Sequence, residues 1–243
     1  MSARHVSLSV VIPAFNEAAR IGETLEHLCA YVPTLVQDCE IRLVDDGSDD
    51  GTATIAEQIA RRDGRVVVQR EPHRGKGWAV RAGLLAATSE LRFMCDADLS
   101  MPLGELPRFL AMVPSRCDVA IGSREAVGSR RVGEPTYRHA MGRVFSTLIR
   151  AMVLPGIGDT QCGFKLFTSQ AVETVFPMMT ISGWAFDVEA LLMARRQGLR
   201  VQEVPIEWHY RENSKVSVVR DPVRMFRDLW KIRTNDRRGV YGS

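Results

Sequence analysis

The stretch Leu91-Arg92-Phe93-Met94-Cys95-Asp96-Ala97-Asp98 joins a short apolar run to two carboxylates that are separated by one small residue. Residues two apart in an extended backbone point to the same face, so Asp96 and Asp98 would aim at one point beyond the end of a strand. Ligands of open α/β sheets bind at that edge. Two carboxylates held close together repel unless a cation lies between them or one is protonated. The stretch therefore favours a divalent metal that carries a phosphorylated substrate, although a solvated Asp-rich loop gives the same pattern.

Similar junctions between a strand and polar residues recur along the chain. Short apolar runs predict strands at 8–12, 40–44, 66–69, 91–95 and 119–121, and helix-like spacing follows most of them. Strands that alternate with helices predict an α/β fold with a mostly parallel central sheet and helices on both faces. One shared site explains the polar residues near the strand ends, which are Asn16, Glu17, Asp45, Asp46, Lys76, Asp96, Asp98 and Arg124.

Several of these residues also have a purely structural interpretation. Asn16 and Glu17 stand where a strand meets a helix N-terminus, a position that suits a bound anion and equally suits a capping side chain. Lys76 lies between Gly75 and Gly77 at another predicted helix start, where it would face a phosphate or remain an exposed loop lysine. The spacing of a P-loop is missing around it.

Composition limits the class of protein. The 243 residues are 45% hydrophobic and 25% charged, which suits one large α/β domain with a substantial core. The net charge of +3 is too small to argue for a nucleic-acid partner. Five scattered cysteines without a C-x-x-C pair predict free thiols in a reducing compartment. With no apolar signal core after Met1 and no uncharged apolar run of about 18 residues, we expect a cytoplasmic protein.

The second half of the chain carries arginines and two amphipathic segments. Arg131 lies in a basic, glycine-punctuated segment at 128–138 that either closes over a phosphate group or remains a solvated loop. Residues 141–154 are amphipathic and apolar, and residues 222–232 predict a basic amphipathic helix with Trp230. Each helix either packs on the domain or lies against an anionic membrane surface. The second alternative would place the protein peripherally on the cytoplasmic membrane face.

Later segments supply further candidates for the site. Residues 161–165 return toward it, and Trp184 either stacks on a sugar or packs in the core. Asp187 and Glu189 would face one side of an extended segment and bind sugar hydroxyls, unless Glu189 begins a helix. The remaining residues predict one strand at 201–208 and a tail at 235–243.

Six motifs together resemble known enzymes. The family 2 inverting glycosyltransferases, which have a GT-A fold, are similar at VVIPAFNE (10–17), VDDGSDDGT (44–52), GKG (75–77) and DAD (96–98). Within that family, the dolichyl- and polyprenyl-phosphate sugar transferases, the glucosyl branch more than the mannosyl, are similar at DTQCGFK (159–165) and GWAFDVE (183–189). The resemblance runs from about Ser7 to Tyr210. It implies a Rossmann-like GT-A domain at 1–210, followed by a basic amphipathic helix and tail at 211–243.

The resemblance also implies roles for individual residues. The base and ribose of a nucleotide-sugar would be held by Pro13, Ala14, Glu17 and Asp45. Asp96 would reach the ribose or the metal, and Asp98 would bind Mg²⁺ or Mn²⁺ at the diphosphate. Mannosyl relatives place Gln where this chain has Ser100, which leaves the third metal ligand open. The other predicted catalytic residues are Lys76, Arg131 and Asp187, and the other predicted substrate-binding residues are Arg124, Gln161, Lys165 and Trp184.

We therefore expect metal-dependent, inverting transfer of a hexose, glucose from UDP-glucose, to a polyprenyl or dolichyl phosphate. This acceptor needs no strong base because the second pKa of a phosphate is about 6. The alternatives are a mannosyltransferase that uses GDP-mannose, a family 2 transferase with a soluble hydroxyl acceptor and Asp187 as base, a phospho-acceptor receiver domain, and a nucleotide-sugar sensor. A strand with its own motif precedes the Asp45-Asp46 strand, which disfavours the receiver.

Overall fold

The computed structural model describes residues 6–210 and 220–242, of which 220–223 are described by their backbone alone. The strands in these ranges are β1 (Leu8–Ala14), β2 (Cys39–Asp45), β3 (Val66–Arg70), β4 (Leu91–Met94), β5 (Val119–Ser123), β6 (Arg130–Val132), β7 (Lys165–Thr168), β8 (Val201–Pro205) and β9 (Glu207–His209). The α-helices are α1 (Ala18–Tyr31), α2 (Thr52–Ala60), α3 (Lys76–Ala86), α4 (Leu106–Met112), α5 (Thr136–Met152), α6 (Ser169–Val175), α7 (Phe186–Arg196) and α8 (Arg220–Arg237).

Seven strands form the central sheet in the order β3-β2-β1-β4-β7-β5-β8. The paired strands run parallel except at β7, which is antiparallel to both β4 and β5. Strands β6 and β9 form a separate parallel ribbon. The predicted mostly parallel sheet is confirmed, and the carboxyl ends of β1, β2 and β4 meet at one edge.

Helices cover both faces of this sheet, as the sequence predicts. Alternate residues of β1 divide between two apolar clusters, because successive side chains of a strand point to opposite faces. Val10 and Ile12 pack in the cluster that includes α1 and α4. Val11 packs in the cluster that includes α3, α6, α7 and α8. The sheet is therefore the middle layer of three.

Two strands of the first half run two residues beyond their predicted ends, and one of them is β5, which continues through Gly122 to Ser123. Strand β1 continues through Pro13 instead of ending before it. Because β4 pairs with β1 only as far as Val11, Pro13 is bordered by β2 alone. Proline is tolerated at such an edge-like position.

In the second half, β6, β7 and α6 lie where the sequence pattern predicts no strand or helix, and three further differences are found. The strand predicted at 201–208 is two strands, β8 and β9, which belong to different sheets. The segment around Asp187, predicted as extended, is the first turn of α7. The tail predicted at 235–243 begins inside α8, and Tyr241 beyond that helix is fully buried.

The C-terminal helix packs on the sheet domain through Leu229 and Ile232, which are fully buried. The predicted start of the C-terminal segment, at residue 211, lies outside the described residues. None of the helices in the described ranges combines the length and the apolarity that a membrane crossing requires.

Candidate active site

Two loops at the carboxyl edge of the sheet are joined by hydrogen bonds. The backbone N–H of Asn16 donates to Ser48 Oγ at 2.9 Å, and the N–H of Asp49 donates to Asn16 Oδ1 at 3.0 Å. The N–H of Glu17 donates to Thr52 Oγ1 at 2.7 Å. Asn16 thus joins the two loops instead of capping its own helix. The two joined loops and the strand ends beside them are here called the nucleoside wall. It carries the residues predicted to hold the nucleoside, which are Pro13, Ala14, Glu17 and Asp45.

Asp46 fixes the turn that precedes Lys76. Its two carboxylate oxygens accept the backbone N–H groups of Arg74 and Gly75, each at 2.9 Å. The His73 Nδ1 atom lies 2.9 Å from Asp46 Oδ2. Only glycine suits position 75, because its φ is +109° and a Cβ would lie 2.7 Å from the Ser182 carbonyl oxygen. Asp46 therefore helps to determine where α3 begins.

Lys76 and Asp96 form an ion pair at the centre of this edge. Lys76 Nζ lies 2.6 Å from Asp96 Oδ1 and 5.3 Å from the centre of the Trp184 ring. Burial opposes the charged form of Lys76, but Asp96, Asp187 and Asp98 outweigh it and raise the pKa of the amine above its ordinary value. Lys76 is therefore a fixed cation beside the two predicted metal ligands.

The positions of Asp96 and Asp98 depend on the backbone around them. A Cβ at Gly163 would overlap the Asp96 carboxylate, so only glycine leaves room for it. Asp98 Oδ1 accepts the N–H of Ser100 at 2.9 Å. Leu99 between them has φ +44°, a conformation that residues other than glycine seldom adopt. Such outliers cluster at functional sites.

The acidic pair fits a divalent cation that arrives with a diphosphate. No group of three or more His, Cys, Asp or Glu side chains in residues 6–210 and 220–242 is arranged to hold a metal by itself. Mg²⁺ usually binds one or two carboxylates together with substrate phosphates and water. Asp96 and Asp98 supply that number of carboxylates, and the predicted third protein ligand stays open.

Asp187 lies in a buried ion pair. Lys165 Nζ lies 2.5 Å from Asp187 Oδ1, and these side chains are 1% and 4% exposed. Apart from this contact, Asp187 Oδ1 has no hydrogen-bond partner in the part of the chain that the structure describes. Burial raises the pKa of the Asp187 carboxyl, whereas Lys165 and Lys76 act in the opposite direction. The predicted extended segment is wrong, because Asp187 and Glu189 are both buried in the first turn of α7, and the alternative of a helix at this point is confirmed. The substrate role of Asp187 stays a prediction.

Arg124, Gln161 and Arg131 are bound to carboxylates of the protein itself. Arg124 is paired with Asp159, Nε to Oδ2 at 2.7 Å, and the N–H of Gln161 donates to Asp159 Oδ1 at 3.3 Å. Arg131 lies between two carboxylates, at 2.5 Å from Glu125 and 2.6 Å from Glu134. The substrate roles of Arg124, Gln161 and Arg131 stay predictions.

Two residues of this site, Gly163 and Asp159, were not singled out from the sequence. Gly163 belongs to the motif at 159–165, but its role depends on contact with Asp96, a residue distant in the chain. Asp159, which opens the motif at 159–165, is recognisable only once Arg124 is seen beside it. The one sequence signal for Asp159 is its place as the first residue of the motif at 159–165.

Comparison with known proteins shows the family to which this chain is similar. The sequence profile of glycosyl transferase family 2 matches residues 9–176. The dolichyl-phosphate beta-glucosyltransferase of Saccharomyces cerevisiae is 32% identical over 97% of this chain and 77% of its own length. The Mus musculus protein of the same name is 32% identical over 93% of this chain and 74% of its own.

Solved structures show the same architecture. One is glucosyl-3-phosphoglycerate synthase from Mycobacterium tuberculosis, in complex with Mn²⁺, UDP and glucosyl-3-phosphoglycerate. It aligns with a TM-score of 0.63 at 20% identity and covers 93% of this chain and 78% of its own. The likeness confirms the predicted GT-A fold.

Proposed function

This chain belongs to glycosyl transferase family 2 and is a glycosyltransferase, and we propose that it transfers glucose from UDP-glucose to a polyprenyl or dolichyl phosphate with inversion at the anomeric carbon. Membership in an enzyme family leaves the sensor and the receiver domain without support. The observation that carries the acceptor class is the buried ion pair between Asp187 and Lys165.

Two carboxylates beside Lys76 are held in ion pairs, which favours a phosphate acceptor over a hydroxyl acceptor. A hydroxyl acceptor must lose a proton to a base, and Asp187 is the candidate. In this structure Asp187 is buried and paired with Lys165, and Asp96 is paired with Lys76. A phosphate monoester arrives already anionic, since its second pKa is about 6. The site therefore suits a phosphate nucleophile, and the relatives named dolichyl-phosphate beta-glucosyltransferase support the same choice.

The donor would lie across the carboxyl edge of β1, β2 and β4. Its nucleoside would meet the wall that carries Glu17 and Asp45, and its diphosphate would meet Lys76. The glucosyl names of the relatives support glucose. UDP in the related synthase supports a uridine donor.

Residues of this chain would do two things during transfer. Lys76 would stabilise the charge that develops on the departing nucleoside diphosphate. The residues on either side of Lys76 would hold the acceptor phosphate in line with the anomeric carbon, which lowers the entropic part of the barrier. Asp96 and Asp98 would hold Mg²⁺ or Mn²⁺, an ion that neutralises charge on a leaving diphosphate, and Mn²⁺ in the related synthase supports this.

Arginines would contribute after an exchange of partners. Arg131 would leave Glu125 and Glu134 for phosphate oxygens, which an arginine fork also matches. Arg124 and Gln161, both held by Asp159, would line the acceptor side, and Trp184 would pack against the sugar. Lys165 would act on substrate only through Asp187.

A lipid acceptor requires a surface that meets a membrane, and helices α5 and α8 offer one. On α5, the exposed apolar residues Tyr137, Met141 and Val144 follow one another at helical spacing, and Val144 is 73% exposed. On α8, Phe226 and Trp230 are one turn apart, and Trp230 is 61% exposed. We call this the apolar face.

The helices that carry the apolar face also carry exposed basic side chains. The exposed cations among the described side chains of the same two helices are Arg143, Arg150, Arg224, Arg227, Lys231 and Arg237. Apolar groups with cations around them suit anionic phospholipid headgroups. The protein would lie peripherally on such a membrane.

The test is product formation. Purified protein would be incubated with UDP-glucose, GDP-mannose or other nucleotide-sugars, Mg²⁺ or Mn²⁺, and a short polyprenyl phosphate, and the lipid would be analysed by mass spectrometry. We expect a β-linked hexosyl phosphate lipid from UDP-glucose, none with Asp98→Asn, and undiminished product with Asp118→Asn, which alters a distant exposed ion pair. Product from GDP-mannose alone would change the proposed sugar from glucose to mannose. Donor hydrolysis without lipid product would overturn the proposed lipid-phosphate acceptor.

A further inference from the structure

We propose that Tyr241 and Glu189 are positioning residues for the donor site. They would hold the segment 180–185, here called the Trp184 wall, against the start of α3. The inference rests on the proposed function for its catalytic readout, but the contacts that support it are independent of the substrate. It assigns a role at the site to the last part of the chain, which the sequence suggested was a tail.

Glu189 ties the Trp184 wall to α7. It is fully buried, and its carboxylate accepts the backbone N–H of Thr180 at 3.0 Å and that of Ile181 at 2.8 Å. Thr180 Oγ1 also donates to it, at 2.7 Å. No lysine, arginine or histidine of the described chain pairs with it. The backbone of the wall is therefore fixed by one uncompensated carboxylate.

The C-terminal part of the chain completes this network. The Tyr241 hydroxyl donates to Glu189 Oε1 at 2.7 Å, and the Tyr241 side chain is fully buried. Asn235 Nδ2 donates to Tyr241 Oη at 3.2 Å and to Thr180 Oγ1 at 3.1 Å. Lys231 Nζ donates to the Thr180 carbonyl at 3.1 Å. Three residues of the segment 231–241 thus meet at one end of the wall.

The other end of the wall contacts the residues around Lys76. The N–H of Trp78 donates to the Ser182 carbonyl at 3.3 Å. A Cβ at Gly75 would lie 2.7 Å from that carbonyl oxygen, and one at Gly77 would lie 2.9 Å from the Ile181 carbonyl oxygen. The backbones are therefore in close contact on both sides of Lys76, and a shift of the wall would move Lys76 and Trp184 together.

A polar network of this kind specifies geometry more than it stabilises. A buried carboxylate without a cation is costly to desolvate, and apolar side chains of similar volume would pack with less penalty. Fully satisfied networks determine one arrangement of the backbone. We therefore expect the loss of one donor to change where the wall sits, in addition to any change in stability.

The experiment compares Tyr241→Phe with Asp236→Asn. Phenylalanine keeps the buried ring and removes only the hydroxyl that Glu189 accepts. Asp236 forms a two-bond ion pair with Arg196, so it also attaches α8 to α7, but it has no contact with the wall. Both variants loosen α8, and only the first alters the wall.

We expect Tyr241→Phe to lower kcat about tenfold, because displacement of aligned groups reduces the rate steeply. The Kd for UDP and its stoichiometry should stay within about twofold, since the nucleoside wall is held by separate bonds. Amide exchange at residues 75–78 and 180–181 should become faster. Asp236→Asn should leave all three measurements near wild type.

Equal kcat and equal exchange in the two variants would overturn the proposal, as would a fall in UDP stoichiometry that accounts for the lost turnover. The exchange measurement needs no turnover. If the wild type made no lipid product, faster exchange at 75–78 in Tyr241→Phe alone would still support the positioning role, and unchanged exchange would still refute it.

Discussion

Lys76 Nζ lies 2.6 Å from Asp96 Oδ1, so the proposed diphosphate ligand and a proposed metal ligand share one ion pair. Asp96 would hold the proposed cation through an oxygen that Lys76 contacts in this structure, and Lys76 would bind the diphosphate. The pair would thus connect metal binding to leaving-group stabilisation.

The first prediction separates these two roles. Lys76→Met should lower kcat about a hundredfold, the usual scale for losing one group that stabilises developing charge, while UDP binding with Mn²⁺ stays within a few-fold of wild type. Arg116→Met, an exposed residue before β5 at the opposite edge of the sheet, is the control. Isothermal titration and steady-state rates measure both quantities. Unchanged kcat in Lys76→Met would remove the lysine from the mechanism.

The pKa of Lys76 gives a second prediction. Because its pKa is raised above the ordinary 10.5, the charged form present at neutral pH is lost only as pH rises through that higher value. We expect no fall in kcat that is due to Lys76 between pH 7 and 10. A fall in this range that persists in Lys76→Arg would come from another group, and one that Lys76→Arg abolishes would contradict the raised pKa.

Gly163 supplies a third prediction. In Gly163→Ala the new methyl group displaces the Asp96 carboxylate, so turnover should fall about a hundredfold or more, as for other misplacements of aligned groups. Gly142→Ala adds a methyl group where no atom lies within 4 Å and should behave as wild type. Circular dichroism and rates measured together give the result. An active Gly163→Ala enzyme would mean that Asp96 tolerates displacement.

Asp159 controls stability in acid. Burial opposes ionisation of its carboxyl, but Arg124 outweighs this and lowers its pKa to about 2 from 3.8. The contribution to stability is present above pH 3.8 and is lost as pH falls toward 2; it amounts to about 2 kcal/mol. Asp159→Asn should lower the free energy of unfolding in urea by at least that amount at pH 7, and the difference from wild type should shrink by pH 3.

The matched control for this variant is Asp118→Asn, whose partner Arg200 is half exposed. Exposed ion pairs contribute less than about 1 kcal/mol. An equal loss of stability in the two variants at pH 7 would show that the buried ion pair contributes no more to the free energy of unfolding than the exposed one.

The apolar face gives the last prediction. Phe226→Ala with Trp230→Ala should weaken binding to vesicles that contain phosphatidylglycerol at least tenfold, since burying aromatic side chains contributes about 1.5–3 kcal/mol each. Added salt should weaken wild-type binding as well. Leu85→Ala, an exposed apolar residue on α3, is the control. Sedimentation with vesicles measures the bound fraction, and equal binding of the double variant would exclude this face.

The sequence was sufficient to predict the edge of the sheet at which the candidate site lies. Parallel strands end at one edge, so the acidic residues after β2 and β4 had to come close together. The helical state of Asp187 was not predictable in this way, because residues 186–194 are all buried and show no amphipathic stripe. The partners of Lys165 and Arg124 are 22 and 35 residues away, and no local pattern specifies such pairs.

The late position of β7 in the chain affects how the sheet forms during translation. On a chain still attached to the ribosome, β4 would be the open edge of a four-stranded sheet until β7 is synthesised, 70 residues later (95–164). At ordinary rates of translation this takes on the order of ten seconds. An unpaired apolar edge invites pairing with other chains. We therefore expect the nascent first half to depend on chaperones, and its release to coincide with the emergence of residue 168.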